Sequence, residues 1–352
     1  MTGARAAPYR FRMLPPPPPP ERQSASPAAR TVVVAVGGNA LLRGGERATV
    51  AEQFEAAARL AVPLAGLLGA GHRLLVTHGN GPQVGFIQRR SELVAPLAPE
   101  LPALGLDMCV ADSQGSLGYL LVSTLAGRLR AAGGPRPGVA GLLTHTVVDA
   151  DDPAFARPTK PIGSVSGRGS APEPAPGGER LVPSPAPRAV LETEAVRTLL
   201  AAGIAVVAGG GGGIPLVERP DGTYRGVEAV VDKDLTSALL AEEVGADLLV
   251  ITTGVDRVAV DFGRPGQRFL DRLDVAGVRR LLAEGHFPEG SMGPKIRGAL
   301  RFVTGAPGRE ALITSVAGLP DALAGHGGTR IRPGPAAAHA PGPPPSPAGR
   351  LP

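Results

Sequence analysis

The chain has 352 residues, enough for one large hydrophobic core or two packed subdomains. Its net charge of +5 comes largely from its ends, residues 1–30 and 332–352, so the body between them is close to neutral. A neutral body argues against a nucleic-acid-binding domain. The single cysteine, Cys109, excludes an intramolecular disulfide and a cysteine-based metal site. The N-terminus lacks the apolar core of a signal peptide, and no apolar run approaches the roughly 18 residues of a transmembrane helix, so we expect a cytoplasmic protein without a nucleic-acid or membrane partner.

Strand-like and helix-like segments alternate between two low-complexity ends. Residues 1–30 are rich in Pro and Arg and residues 332–352 in Pro and Ala, which predicts two disordered tails. The predicted strands cover residues 31–36, 73–76, 138–148, 204–208, 247–252 and 311–314, and the predicted helices cover residues 51–68, 113–132, 192–202, 233–244, 276–284 and 294–304. This alternation predicts an α/β fold with a mostly parallel sheet, whose ligands bind at the carboxyl ends of strands.

Glycine-rich segments follow three of the predicted strands, at residues 37–38, 79–81 and 209–213. Glycine lets the backbone approach a ligand closely and turn its N–H groups toward an anion. Each segment alone is equally typical of a tight turn, but together they indicate a phosphate site. The chain contains neither a G-x-x-x-x-G-K-[ST] loop nor a convincing G-x-G-x-x-G dinucleotide motif, which disfavours a P-loop kinase and a standard dehydrogenase.

Lysine is rare, since 33 of the 36 basic residues Lys and Arg are arginines. The three lysines, Lys160, Lys233 and Lys295, lie beside Pro, Gly or Asp at predicted element boundaries. A lysine ammonium is compact and mobile, whereas the arginine guanidinium is a wide planar fork. We therefore interpret the three lysines as candidates for sites that need a compact ammonium, such as one that follows a moving phosphoryl group; the alternative is that three solvated surface lysines remain by chance.

Asp232 and Asp234 flank Lys233 where a helix is predicted to begin. We assign Asp232 mainly to capping that helix and Asp234 to orienting the lysine ammonium groups, although the spacing alone leaves both roles open to either residue. His78 is a candidate base, yet a histidine beside a glycine turn is as often structural. The six histidines show no metal-ligand spacing.

Several motifs, spread in order over residues 31–331, resemble the carbamate kinase family. They are V-A-V-G-G-N-A-L-L, T-H-G-N-G-P-Q-V-G, D-S-Q-G-S-L-G-Y-L-L, R-P-T-K-P-I-G, A-G-G-G-G-G-I-P-L-V, V-V-D-K-D-L-T-S and F-P-E-G-S-M-G-P-K. The resemblance implies an open three-layer αβα sandwich of the amino-acid-kinase type, usually a homodimer. It also implies reversible phosphoryl transfer between MgATP and carbamate, giving ADP and carbamoyl phosphate, with Mg²⁺ bound mainly through the nucleotide phosphates.

The resemblance also assigns residues to roles, all of them expectations. Lys160 would reach the carbamoyl end from a mobile subdomain. Lys233 and Lys295 would hold the phosphates, and Asp234 would orient these two lysines. The carbamate and phosphate site would comprise Gly37, Gly38, Asn39, Gly79, Asn80 and Gly81. The nucleotide site would comprise Gly210, Gly211, Gly212, Thr252, Asp256, Met292 and Gly293.

The chain departs from the family pattern after T-K-P-I-G. Residues 163–182 form a shorter stretch than family members usually have here, and they are rich in Pro and Gly and without periodicity. This predicts a flexible excursion and a truncated lid subdomain at about residues 145–185. Gly254 stands where the family commonly has Asp. We expect the ATP-forming direction, with carbamoyl phosphate supplied by arginine or related catabolism. Two alternatives stay open: a relative acting on another carboxylate or a phosphonate, and a non-catalytic protein that binds carbamoyl phosphate or a nucleotide.

Overall fold

A computed structural model describes residues 29–41, 49–133, 137–163, 180–288 and 291–334. The predicted tails therefore lie almost wholly outside the described residues, although Arg332 ends a strand rather than beginning a tail. The described helices are α1 (Val50–Gly69), α2 (Gly81–Val94), α3 (Leu106–Ala132), α4 (Thr193–Ala201), α5 (Lys233–Glu243), α6 (Val275–Ala283), α7 (Met292–Gly305) and α8 (Leu319–Leu323). None of these described helices combines the length and apolar character needed to span a membrane.

The described strands form one large sheet and three smaller ones. They are β1 (Thr31–Val36), β2 (Arg73–His78), β3 (Val139–Gly141), β4 (His145–Val148), β5 (Lys160–Ile162), β6 (Arg180–Val182), β7 (Pro187–Val190), β8 (Ala205–Val207), β9 (Ile214–Glu218), β10 (Tyr224–Gly226), β11 (Leu248–Thr253), β12 (Val258–Val260), β13 (Arg268–Leu270), β14 (Arg272–Asp274), β15 (Glu310–Ser315) and β16 (Thr329–Arg332). The large sheet has the order β14-β16-β15-β11-β1-β2-β8-β3 in the described chain. Its neighbours are parallel except β15 and β16, which confirms the predicted mostly parallel sheet.

Helices cover both faces of the large sheet. Successive residues of β1 alternate between two hydrophobic clusters, with Val33 in the cluster under α4, α5, α6 and α7 and Val34 in the cluster under α1, α3 and α8. A strand buried on both faces is expected to be nearly continuously apolar, and in β1 every residue after Thr31 is apolar. The result is the three-layer αβα sandwich predicted from the sequence.

The region around residues 145–185 differs from its prediction in two details. The predicted strand 138–148 is divided between β3 in the large sheet and β4 in a second sheet of order β10-β9-β4-β7. Residues 180–182 of the predicted excursion form β6, which pairs antiparallel with β5, while residues 164–179 lie outside the described residues. Pairing and burial of Val182 therefore order a segment whose sequence shows no periodicity.

Helix α2 was not predicted. It begins at Gly81 and Pro82. Its apolar residues recur less regularly at helical spacing than those of α1. Proline is tolerated in the first turn of a helix because the backbone N–H groups there have no partner within the helix. Residues that signal a turn in the sequence thus begin a helix in the structure.

Candidate active site

A cleft of about 1130 Å³ opens at the carboxyl ends of the parallel strands. The segments after β1, β2, β8 and β11 line it, together with the first turns of α2, α5 and α7 and the start of β5. Parallel strands bring their carboxyl ends to one edge, so segments distant in sequence meet there. The predicted site residues that line this cleft are Gly37, Gly38, Gly79, Asn80, Gly81, Lys160, Gly211, Lys233, Asp234, Thr252 and Lys295.

The glycine segments after β1 and β2 are in direct contact at the base of the cleft. A Cβ atom on Gly79 would lie 2.7 Å from the backbone nitrogen of Gly38 and 3.1 Å from Cδ of Lys233. Real Cβ atoms do not approach backbone this closely, so a larger residue at Gly79 would separate the two segments. Thr252 fixes the neighbouring turn, because its Oγ1 accepts a 3.2 Å hydrogen bond from the Gly37 N–H.

The third glycine segment packs against the second. Gly211 has φ of +65°, and a Cβ atom there would lie 2.2 Å from Nδ2 of Asn80. The buried Asn80 amide donates a 2.8 Å hydrogen bond to Oγ of Ser113 on α3. Glycine is therefore required at Gly211 both for its positive φ and for its close approach to Asn80.

The three lysines of the chain meet two aspartates in the cleft. Asp234 accepts from Lys233 at Oδ1 and from Lys295 at Oδ2, with Nζ–O distances of 2.5 and 3.0 Å. Asp232 accepts from Lys160, with 3.1 Å between Nζ and Oδ2. Because Asp232 is the N-cap of α5 and Asp234 lies in its first turn, both ion-paired groups are held at one helix start.

Burial and neighbouring charge act differently on these groups. Burial lowers the pKa of Lys233, although Asp234 opposes it. Burial also acts to lower the pKa of Lys295, but the charge and hydrogen bond of Asp234 outweigh it and raise that pKa. For Asp232, burial alone would raise the pKa, yet the ammonium groups of Lys160 and Lys233 hold it well below its usual range. Asp232 is therefore ionised at neutral pH.

Asn39 lies in the 3-10 helix Gly38–Leu41, between Gly38 and Ala40, which line the cleft. Five other predicted site residues are not among the described residues that line it. They contact other parts of the protein and are Gly210, Gly212, Asp256, Met292 and Gly293. Asp256, for example, accepts a hydrogen bond from Ser315 Oγ. The nucleotide-binding role of these five residues stays a prediction.

His78 is buried beneath the cleft rather than exposed in it. Burial lowers the pKa of His78 to about 4, and its Nδ1 lies 3.1 Å from the Gly79 carbonyl oxygen. It is neutral at physiological pH and packs beside Gly210. This favours the structural role over the role of a base.

Sequence reasoning missed two features of the cleft. The ion pair between Asp232 and Lys160 joins residues 72 positions apart, so no local pattern indicates it. Arg59 of α1 and Arg297 of α7 also line the cleft. Arg59 lies three residues after Ala56, which also lines the cleft, so helical spacing places both on one face of α1.

The fold and the site together define a class of protein: a three-layer α/β protein with three lysines and two aspartates in a cleft at the carboxyl ends of its strands. Residues 30–315 match the family model for the amino acid kinase family. The chain belongs to this family.

Its relatives within the family are similar over nearly their whole length. A carbamate kinase-like protein of Escherichia coli, YahI, is 44% identical over 308 residues, covering 84% of this chain and 96% of that protein. A carbamate kinase of Thermococcus kodakarensis is 39% identical over 308 residues with the same coverage. The structure of a Giardia lamblia carbamate kinase bound to AMP-PNP matches with a TM-score of 0.79 and 35% identity, covering 88% of this chain and all of that one.

Proposed function

We propose that this protein is a carbamate kinase, which transfers a phosphoryl group reversibly between MgATP and carbamate. The observation that carries the proposal is the meeting of Lys160, Lys233 and Lys295 on Asp232 and Asp234 within one cleft. The similarity to carbamate kinases over most of the chain supports the choice of carbamate within the wider family. An enzyme that acts on another carboxylate would have to bind that carboxylate differently to the same three lysines.

The geometry suits phosphoryl transfer, which depends on positioning and on neutralising negative charge. Carbamate is already an anionic nucleophile, so the reaction needs no strong general base, in keeping with a neutral, buried His78. The backbone N–H groups of the glycine segments and the ammonium groups of Lys233 and Lys295 would stabilise the equatorial oxygens of the transferring group. Lys160 would contact the carbamoyl end.

Mg²⁺ fits this site as a partner of the nucleotide rather than of a protein cage. Among the described residues, no group of three or more His, Cys, Asp or Glu side chains is placed to hold a metal ion. Mg²⁺ is commonly held by one or two carboxylates together with substrate phosphates. Asp232 and Asp234 are the cleft carboxylates nearest the lysines, and the bound ion would neutralise phosphate charge.

We also propose that residues 145–185 act as a small lid that carries Lys160. The β5–β6 hairpin supports this role, because Ile162 and Val182 are buried in a cluster with Val84 of α2. The Gly163 N–H donates a 3.0 Å hydrogen bond to the Gly81 carbonyl oxygen at the edge of the cleft. A hairpin held in this way would bring Lys160 to the acceptor end.

We propose the ATP-forming direction, because an acyl phosphate such as carbamoyl phosphate transfers its phosphoryl group favourably to ADP. Arginine or related catabolism would supply the substrate.

We further propose a cytoplasmic homodimer. The exposed apolar side chains Leu97, Leu101 and Met108 support an interface near the start of α3, and sedimentation of the purified protein tests the dimer.

The function is tested by ATP formation from carbamoyl phosphate and MgADP. We expect the purified protein to form ATP and Lys233→Ala to lose that activity while staying folded. The same assay with acetyl phosphate in place of carbamoyl phosphate tests acceptor choice. A folded protein that binds ADP but forms no ATP from carbamoyl phosphate would contradict the proposal and favour another acceptor or a binding role.

A further inference from the structure

Asp232 connects the β5–β6 hairpin to the first turn of α5 through its two carboxylate oxygens. Oδ1 accepts from the backbone N–H groups of Asp234 and Leu235, at 2.9 and 3.4 Å, and so caps the helix. Oδ2 accepts from Lys160 Nζ at 3.1 Å. The capping role predicted for Asp232 thus uses one oxygen and leaves the other for the lysine.

Each lysine in the cleft keeps donors for a ligand. An ammonium group has three N–H donors, and a hydrogen bond to one carboxylate oxygen leaves two of them. Asp234 holds Lys233 and Lys295 in this way. Asp232 holds Lys160 in the same manner from the neighbouring position on the same helix turn.

In this arrangement the backbone that carries Lys160 packs closely against α2. Ile162, two residues along β5, is buried. Gly163 lies so close to Gly85 of α2 that a Cβ atom on Gly85 would be 2.2 Å from the Gly163 Cα. The remaining freedom at Lys160 is therefore that of its long side chain, and the Asp232 carboxylate restricts it.

We propose that Asp232 is a positioning residue that holds the Lys160 ammonium at the acceptor end of the cleft, ready to bind carbamoyl phosphate. The ion pair persists when the substrate binds, because the substrate uses the two donors that Asp232 leaves. This inference rests on the proposed function, which it extends by a second carboxylate beside Asp234. The low pKa of Asp232 supports it, since the carboxylate is charged across the working pH range.

The Asp232→Asn variant separates the two roles of this side chain. Asparagine caps a helix as well as aspartate does, so its Oδ1 keeps the bonds to the start of α5. Its Nδ2 cannot accept from Lys160. Asp274→Asn is the matched control, because Asp274 caps α6 through the Gly277 N–H and does not line the cleft.

The first measurement needs no catalytic turnover. The ligand-free proteins are treated briefly with acetic anhydride, and acylation of each lysine is quantified by peptide mass spectrometry. We expect Lys160 to be acylated several-fold faster in Asp232→Asn than in the wild type, with smaller increases at Lys233 and Lys295, which feel the Asp232 charge but have Asp234 as their hydrogen-bond partner. The Asp274→Asn protein should match the wild type. Equal acylation of Lys160 in all three proteins would overturn the proposal.

The second measurement compares the two substrates. In Asp232→Asn we expect kcat/KM for carbamoyl phosphate to fall by about 10²-fold, as a misplaced catalytic group does, with KM for MgADP nearly unchanged. Asp232→Glu keeps the charge and should recover part of this loss. A lower KM for carbamoyl phosphate in the Asn variant would show that Asp232 competes with the substrate and would overturn the proposal.

Two further results can be distinguished from the acylation and KM results described above. An equal loss for both substrates, accompanied by easier unfolding, would mean that Asp232 only caps α5, which also overturns the proposal. A wild-type protein that forms no ATP would contradict the proposed function, while the acylation result would still decide whether Asp232 holds Lys160.

Discussion

Lys233 occupies a position that fits a lysine and excludes an arginine. Its side chain is 10% exposed, its Cδ lies against Gly79, and its Nζ reaches Asp234 at 2.5 Å. A guanidinium is wider, planar and cannot turn its donors individually toward a moving phosphoryl group. The rarity of lysine in this chain is consistent with such a restriction.

We therefore expect Lys233→Arg to lower kcat for ATP formation by about 10²-fold or more, the range seen when a charge-stabilising donor is lost. Circular dichroism should show a folded protein. Arg188→Lys is the reciprocal control, since Arg188 is exposed and pairs with Asp149 at 3.0 Å, and it should have wild-type activity. Near-normal activity of Lys233→Arg would contradict the role assigned to a compact ammonium.

The lowered pKa of Lys233 predicts an early loss of activity at alkaline pH. Burial disfavours its charged form, so Lys233 loses its proton below the usual lysine value of about 10.4, whereas Lys295 keeps its proton to higher pH. The pKa that sets the alkaline decline of kcat/KM belongs to the free enzyme, and it should lie below that value. Asp234→Asn should move this pKa further down. A pKa at or above the usual lysine value would contradict this.

At the scale of elements, the contact between the β5–β6 hairpin and α2 places Lys160. Gly85→Ala would put a Cβ atom 2.2 Å from the Gly163 Cα and force the hairpin away from the helix. We expect KM for carbamoyl phosphate to rise while KM for MgADP changes little, with a loss of stability of about 1–3 kcal/mol as in other overpacked sites. Steady-state kinetics and urea unfolding measure both effects.

Gly115→Ala is the control for this substitution. Gly115 lies on the exposed side of α3, where an added Cβ atom meets no other atom within 4 Å. Since alanine is the better helix former, the variant should be as stable as the wild type or more so. Equal kinetics for Gly85→Ala and Gly115→Ala would mean that the hairpin does not control the acceptor end.

The sequence predicted elements well where burial imposes a regular pattern. The strands β1 and β11 are mostly apolar because the large sheet is covered on both faces, and α1 shows a clear helical spacing. The pattern fails where neighbours rather than local preference order the chain. The strand β6 is defined by pairing with β5, and α2 begins with Gly and Pro, which locally signal a turn.

At the scale of the whole molecule, the cleft collects residues from strand ends far apart in the chain. The motifs identified Lys160, Lys233, Lys295 and Asp234 because each carries a local signal. They did not identify the ion pair of Asp232, which depends on how a hairpin near residue 160 packs against a helix that begins at residue 233. An ion pair between residues so far apart in the sequence depends on the fold, so no local pattern in a single sequence predicts it.

Arg30 and Thr31, at the start of β1, are hydrogen-bonded to residues that precede two neighbouring strands. The Arg30 backbone N–H donates to His72 Nδ1 at 3.2 Å, and its guanidinium donates to the Asp247 carbonyl oxygen at 3.2 Å. The next residue, Thr31, donates its N–H to the Asp247 carboxylate at 2.7 Å. Any truncation that is meant to remove only the Pro- and Arg-rich segment must therefore retain Arg30.

We expect a chain that begins at residue 29 to form ATP at the wild-type rate and to unfold at the wild-type temperature, because the family match begins at residue 30. A chain that begins at residue 31 should unfold at a lower temperature, by about 2 °C for each kcal/mol lost with Arg30. Thermal unfolding and the ATP assay on the three proteins measure both. A large loss of activity in the first truncation would mean that the N-terminal segment takes part in the reaction, and its arginines would then be the groups to replace.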